Sequence, residues 1–195
     1  VKENILYELN GQPAAEAMGD ILEKYTTIKK KAFLENPVFS TLESGFVWGQ
    51  PEVQENFFWP VPSPLQIINK KYVAMGIKLN IGDALSLLQT NERSLIKADE
   101  EASEMLFKDA RTKEIELVFI FSSVSRKSIL RSVKFEEEKS IKKIIGKGVK
   151  VFGIGTVGEI GTLLGLPPRP SGKILSLCGI SNTLITEERG EIDEK

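Results

Sequence analysis

Histidine is absent from the 195 residues, and cysteine occurs once, at Cys178. Without histidine the chain cannot build a Ser-His-Asp or Cys-His nucleophile, a histidine metal site or a histidine proton shuttle. A single cysteine excludes disulfide scaffolds and cysteine-ligated zinc, and it favours a reducing, cytoplasmic setting. No charge of one sign dominates. The 26 Lys and Arg stand interspersed with 27 Asp and Glu, for a net charge of −1. A nucleic-acid or anionic-membrane surface needs a basic patch, so neither partner is expected. Lys29-Lys30-Lys31 is a short run that reads as a solvated helix face. Long apolar runs are also missing. Ile115 to Phe121 is broken by Glu116 and is far too short to span a bilayer. No charged-then-apolar secretory leader opens the chain. A start at Val1 rather than Met is what a piece of a longer protein would show.

What remains is an ordinary globular composition, 41% apolar and 27% charged. A chain of this length buries roughly 70% of its unfolded surface, enough for a real core. One domain over residues 1–186 is expected, with Glu187 to Lys195 as a charged, frayed tail.

Asn4 to Leu9 alternates as a half-buried strand does, and Asn10-Gly11 ends it. Pro13 suits a first helical turn. Ala14, Met18, Ile21, Leu22 and Tyr25 then form one apolar stripe at helical spacing. A second helical piece, Ile28 to Leu34, stops before Asn36-Pro37. Val38 to Trp48 reads as one or two strands. Gln50 to Pro64, with four prolines around Phe57, Phe58 and Trp59, reads as a long loop pinned by its aromatics, or as an aromatic binding lip. Leu65 to Ile68 and Tyr72 to Gly76 suggest a hairpin, and Ala84 to Leu88 a further strand. Leu95, Ala98, Ala102, Met105, Leu106 and Ala110 define a long amphipathic helix. Ile115 to Phe121 is the most apolar strand and reads as central and covered on both faces. Phe135 to Ile145 is a helix with acids first and bases last, as its dipole prefers. Lys173 to Ile180 is a late strand. The order is roughly β-α-β-β-β-β-α-β-α-β-β. That is too many adjacent strands for a strict βαβ array, so the class is α+β, a mixed β-sheet with flanking helices.

Chemistry concentrates in two stretches. Val149 to Gly161 carries an apolar run, four glycines and one carboxylate, Glu159. Gly153-Ile-Gly155-Thr-Val-Gly158 fits the dinucleotide fingerprint, which would set a pyrophosphate on a helix N-terminus. Against it, only Glu159 to Leu166 is left for that helix, and Cys178 stands where a ribose acid should. A tight structural or ligand-facing loop is the better reading. Glu159 either anchors a ligand amino group or hydroxyl, or accepts from backbone N–H groups in the glycine turn. Ser122, Ser123, Ser125 and Arg126 follow the apolar strand directly. Hydroxyls and a guanidinium there suit a carboxylate or phosphate, and turn and cap chemistry is the alternative. No base adjoins these serines, so no nucleophile is expected. Cys178 reads as a packed core thiol.

Taken in order, these pieces resemble the C-terminal half of the FIST sensory domain. Leu9-Asn10-Gly11-Gln12-Pro13-Ala14 is similar to the family's L-D-G-x-P-A opening. Phe121-Ser122-Ser123-Val124-Ser125-Arg126 is similar to F-S-C-x-G-R, with Ser where Cys and Gly are common. Gly158-Glu159-Ile160 and Asn182-Thr183-Leu184 resemble its G-E-I and N-x-T-L elements. The resemblance implies a non-catalytic sensory domain that binds a small ligand, with amino acids the usual class. It implies two partners, a FIST N-terminal half and a signalling output protein or domain. The expected pocket is lined by Ser122, Ser123, Arg126, Gly155, Glu159, Asn182 and Thr183. One branch of the family binds haem. A chain without histidine lacks the usual axial ligand, so no cofactor is carried over. The alternatives are a ligand-free interaction domain using the aromatic loop at 50–64, and a nucleotide-cofactor enzyme domain.

Overall fold

The computed structural model describes residues 4–42, 44–52, 57–109, 114–133, 136–161 and 167–183. Short strands β1 (Ile5–Leu6), β2 (Glu8–Leu9) and β3 (Gln12–Pro13) open the chain. Asn10 and Gly11 both take positive φ, which lets β2 fold straight back on β3. Pro13 then precedes helix α1 (Ala14–Tyr25). Ala14, Met18 and Leu22 of the predicted stripe are buried. Tyr25 is not: it lies at the helix end, 63% exposed, beneath the Lys24 ammonium.

Helices α2 (Lys30–Glu35) and α3 (Pro37–Leu42) follow. Here the strand expected from Val38 is corrected. Pro37 ends one helix and starts the next, because its fixed φ and missing N–H suit a first turn. The strand begins only at Phe46, as β4 (Phe46–Glu52). The loop expected over 50–64 is also partly strand, since β4 pairs antiparallel with β5 (Phe57–Pro60). Pro51 is tolerated because β8 (Ser86–Gln89) reaches only Phe46 to Gly49, so Pro51 lies beyond its ladder. The predicted hairpin forms as β6 (Gln66–Ile68) and β7 (Tyr72–Ala74), with β1 added on the far side of β7. Leu6, Met18, Leu22, Phe33, Trp48, Val73 and Met75 close one apolar core among these elements.

The second core belongs to the later chain. Helix α4 (Glu92–Asp109) leads to β9 (Ile115–Ser123). Helix α5 (Val124–Ile129), a 3-10 turn (Leu130–Val133) and helix α6 (Glu136–Ile145) return to β10 (Lys150–Thr156), which pairs parallel with β9. After β11 (Glu159–Gly161) and β12 (Arg169–Ser171), which pair with each other, β13 (Leu175–Ser181) joins β9 antiparallel on its other side. The order is β10-β9-β13. Val118 and Ile120 meet Ile141 and Ile145 of α6 on one face.

The opposite face carries no such cover among the described residues, so the strand expected to be buried on both sides is buried on one. Phe119, Phe152 and Cys178 are register partners on that open face. Phe152 is 57% exposed, and Cys178 is exposed rather than packed in a core. The glycine stretch is corrected as well. Gly153 and Gly155 are extended residues of β10, and a turn at Gly158 leads into β11. The strand that should turn at the first glycine runs on to Thr156, and the residue after the turn is strand rather than helix. The dinucleotide geometry is therefore not built.

Candidate functional site

β9 ends at Ser122-Ser123, and the alternation of a strand sends these side chains to opposite faces. Ser122 faces the helices and donates through Oγ to Glu137 Oε1 at 3.0 Å. Ser123 lies on the other face, 2.8 Å from Ser125 Oγ. One turn into α5, Arg126 is 3% exposed. Its Nε donates to the same Glu137 oxygen at 2.9 Å, and its Nη2 donates to Asp99 Oδ1. α4, α5, α6 and the end of β9 thus meet at one guanidinium.

Asp99 is fully buried, and its Oδ2 has no hydrogen-bond partner. Burial pushes its carboxyl up to about 7, helped by the nearby Glu137 charge and opposed by Arg126.

Against this cluster lies a cavity of about 640 Å³. Ile120, Leu130 and Val151 supply apolar lining, Ser122 and Glu137 the inner polar atoms, and Lys127, Arg131 and Glu138 further charge. It sits toward the carboxyl ends of β9 and β10, two parallel neighbours joined by a helical crossover. That is where open α/β arrangements bind ligands. Gly153 lines it too, and a Cβ there would meet nothing within 4 Å. Gly155 stands beside the Lys127 ammonium, 3.4 Å from where its Cβ would be.

The expected pocket residues do not converge. Ser122 and Arg126 come together, with Gly155 near Lys127. Glu159 is elsewhere, buried at the β10–β11 turn. Its Oε1 accepts from Thr156 Oγ1 at 2.6 Å and from Gly158 N at 3.3 Å. Its Oε2 has no partner, nor has the hydroxyl of Ser171, its register partner across β11–β12. Asn182 and Thr183 lie past the far end of β13. There Asn182 donates to Glu116 Oε1 at 2.6 Å, and Thr183 Oγ1 donates to Glu114. β13 runs antiparallel to β9, so Asn182 and Thr183 lie seven and eight residues beyond Leu175, the register partner of Ser122, about 25 Å at the usual rise.

Sequence reasoning missed Glu137, Asp99, Lys127 and Gly153. Asp99 carried a signal: it falls four residues after Leu95 and three before Ala102, inside the apolar stripe of α4. Glu137 carried none beyond its place in a first turn.

Among the described residues no cluster of His, Cys, Asp and Glu could hold a metal ion. No described helix is long and apolar enough to cross a membrane.

The family model of the FIST C domain matches residues 14–162. The chain belongs to that family. FIST C domains are sensory domains of signal transduction, and the family is not known for enzymes. Comparison with curated proteins and with solved structures returned no match. The matched span takes in Asp99, Arg126, Glu137 and every residue lining the cavity. It ends before β12 and β13, so Asn182 and Thr183 lie outside it.

Proposed function

We propose that this FIST C domain senses a small zwitterionic ligand, an amino acid, in the cavity between β9, β10 and α6, and passes the signal to a separate output module. The carrying observation is the lining itself. Carboxylates of Glu137 and Glu138 can take an ammonium. The ammonium of Lys127 can take a carboxylate. Ile120, Leu130 and Val151 can take an apolar side chain. A pocket with apolar walls and few convergent polar groups is the usual form of a small-ligand site. The family suggests a FIST N-terminal half and an output protein as partners. A single cysteine suits a cytoplasmic protein. The aromatic loop serves the fold in this reading, because Trp59 is buried and its indole N–H donates to Pro170 O at 3.1 Å.

A thermal-shift screen of the amino acids and small metabolites tests this. A ligand at one hundred times its Kd adds about 2.7 kcal/mol. For a domain of this size that is a rise of about 5–10 °C. Gly153→Val, which puts two methyl groups into open cavity space, should abolish the shift without unfolding the domain, and Lys127→Ala should weaken it. If no compound raises the melting temperature, or both variants keep the full shift, the assignment fails.

A further inference from the structure

The cluster behind the cavity wall holds two carboxylates and one guanidinium. Asp99 is fully buried and Arg126 nearly so, while Glu137 reaches the cavity. Its sum is one negative charge in a place shielded from water. An ionised carboxylate removed from water needs donors on both oxygens, or it favours the neutral form. Asp99 has Arg126 on Oδ1 and nothing on Oδ2.

The charged groups around it do not change that count. On α4, the neighbouring Glu100 is paired outward with Lys143 of α6 at 3.5 Å. On α6, Glu136 pairs with Lys139 and Glu138 with Lys142. On α5 and the turn after it, Lys127 and Arg131 are exposed and line the cavity. β13 presents Leu175 and Leu177 to the helix side, and β9 presents Ser122.

We propose that Asp99, Arg126 and Glu137 form a proton switch, a device beyond ligand sensing as such: a proton on Asp99 Oδ2 commits Arg126 to Glu137 and fixes the cavity wall, and its loss divides Arg126 between two carboxylates. Glu137 is the link, because its one oxygen receives both Arg126 and Ser122 while its side chain lines the cavity. The proton affinity needed is the one burial produces, near neutrality rather than at the ordinary carboxylate value of 3.8. The folded-state value is raised. Between about pH 4 and pH 7 the folded chain therefore holds a proton that the unfolded chain has lost. The cluster favours folding more as pH falls through that window, and its cost is complete above about 7.

The test needs no ligand. In the full chain with carbon-13 carboxyl labels, one Asp carboxyl should titrate with a midpoint near pH 7 and vanish in Asp99→Asn. Backbone amides of Ser122, Gly153 and Glu137 should shift with the same midpoint. Asp99→Asn, which imitates the protonated acid, should melt close to wild type at about pH 5.5 and above it at about pH 8. Glu137→Gln removes the like charge and should move the Asp99 midpoint down by a pH unit or more, an effect that packing alone would not produce. Should Asp99→Asn not fold, the wild-type titration and Glu137→Gln decide. A midpoint below about pH 5, a midpoint that Glu137→Gln leaves in place, or cavity amides that ignore the titration would each overturn the proposal.

Discussion

Lys173→Met should be one of the costliest single substitutions in this domain. Lys173 is buried, and its ammonium donates to the carbonyls of Thr41 and Phe46 at 2.7 Å and to that of Ser44. Those acceptors lie 127 to 132 residues away, so one side chain clasps the turn between α3 and β4 to the start of β13. Methionine keeps most of the stem and removes the donor. Each buried carbonyl left unpaired costs about 1–3 kcal/mol. Water can reach the half-buried Ser44 and Phe46, so the low end applies, about 3 kcal/mol in all. At this chain length that lowers the melting temperature by about 6–12 °C.

The pH dependence sharpens the test. Burial lowers Lys173 to about 8, against an ordinary value of 10.5. Between those values the unfolded chain holds a proton that the folded chain lacks, so the lysine's contribution rises with pH across that window. The full span is about 3 kcal/mol at 1.36 kcal/mol per unit. Urea unfolding followed by circular dichroism, for both proteins at about pH 7 and about pH 9.5, measures the gap. It should widen at the higher pH. A gap under about 1 kcal/mol at pH 7, or one that narrows toward pH 9.5, would refute the reasoning.

Arg126→Ala leaves Asp99 and Glu137 facing each other without their cation, and breaking a buried pair in this way costs about 3–5 kcal/mol. Calorimetry should show a smaller loss at about pH 5, where Asp99 takes a proton; an equal loss at both pH values would count against the cluster. Cys178, exposed on the open face of β13, should react with a thiol reagent in the native protein without denaturant. A reaction that waits for denaturant would mean that something covers that face.

Where the chain's local signals agree, sequence and structure coincide. The Ala14, Met18 and Leu22 part of the α1 stripe, the Asn69-Lys70 hairpin turn, and the acid-first, base-last pattern of α6 are each set within a dozen residues. The failures share a cause of longer range. Pro37 could end one helix or begin another, and only packing decides between them. Cys178 lies in an apolar strand, but burial depends on what covers a face and not on the strand. Gly153 and Gly155 have the flexibility for a turn, yet pairing with Ile120 and Ser122 draws them out straight. The site follows the same division. Ser122 and Arg126 were legible as polar groups at the end of an apolar strand. Glu137 and Asp99, 11 and 27 residues from Arg126, join them only through the fold.

The place of β13 has a consequence for biosynthesis. β9 pairs with β10 on one edge and with β13 on the other, and β13 is the last described strand. A ribosome that has finished β10 at Thr156 must add 25 more residues to reach Ser181. At roughly 5–20 residues per second, the nascent chain spends about 1–5 s with the second edge of its most apolar strand unpaired. Bare edges of that kind template mispairing between chains. A translational pause between Thr156 and Ser181 would lengthen that exposure, and a pause before β9 emerges would not.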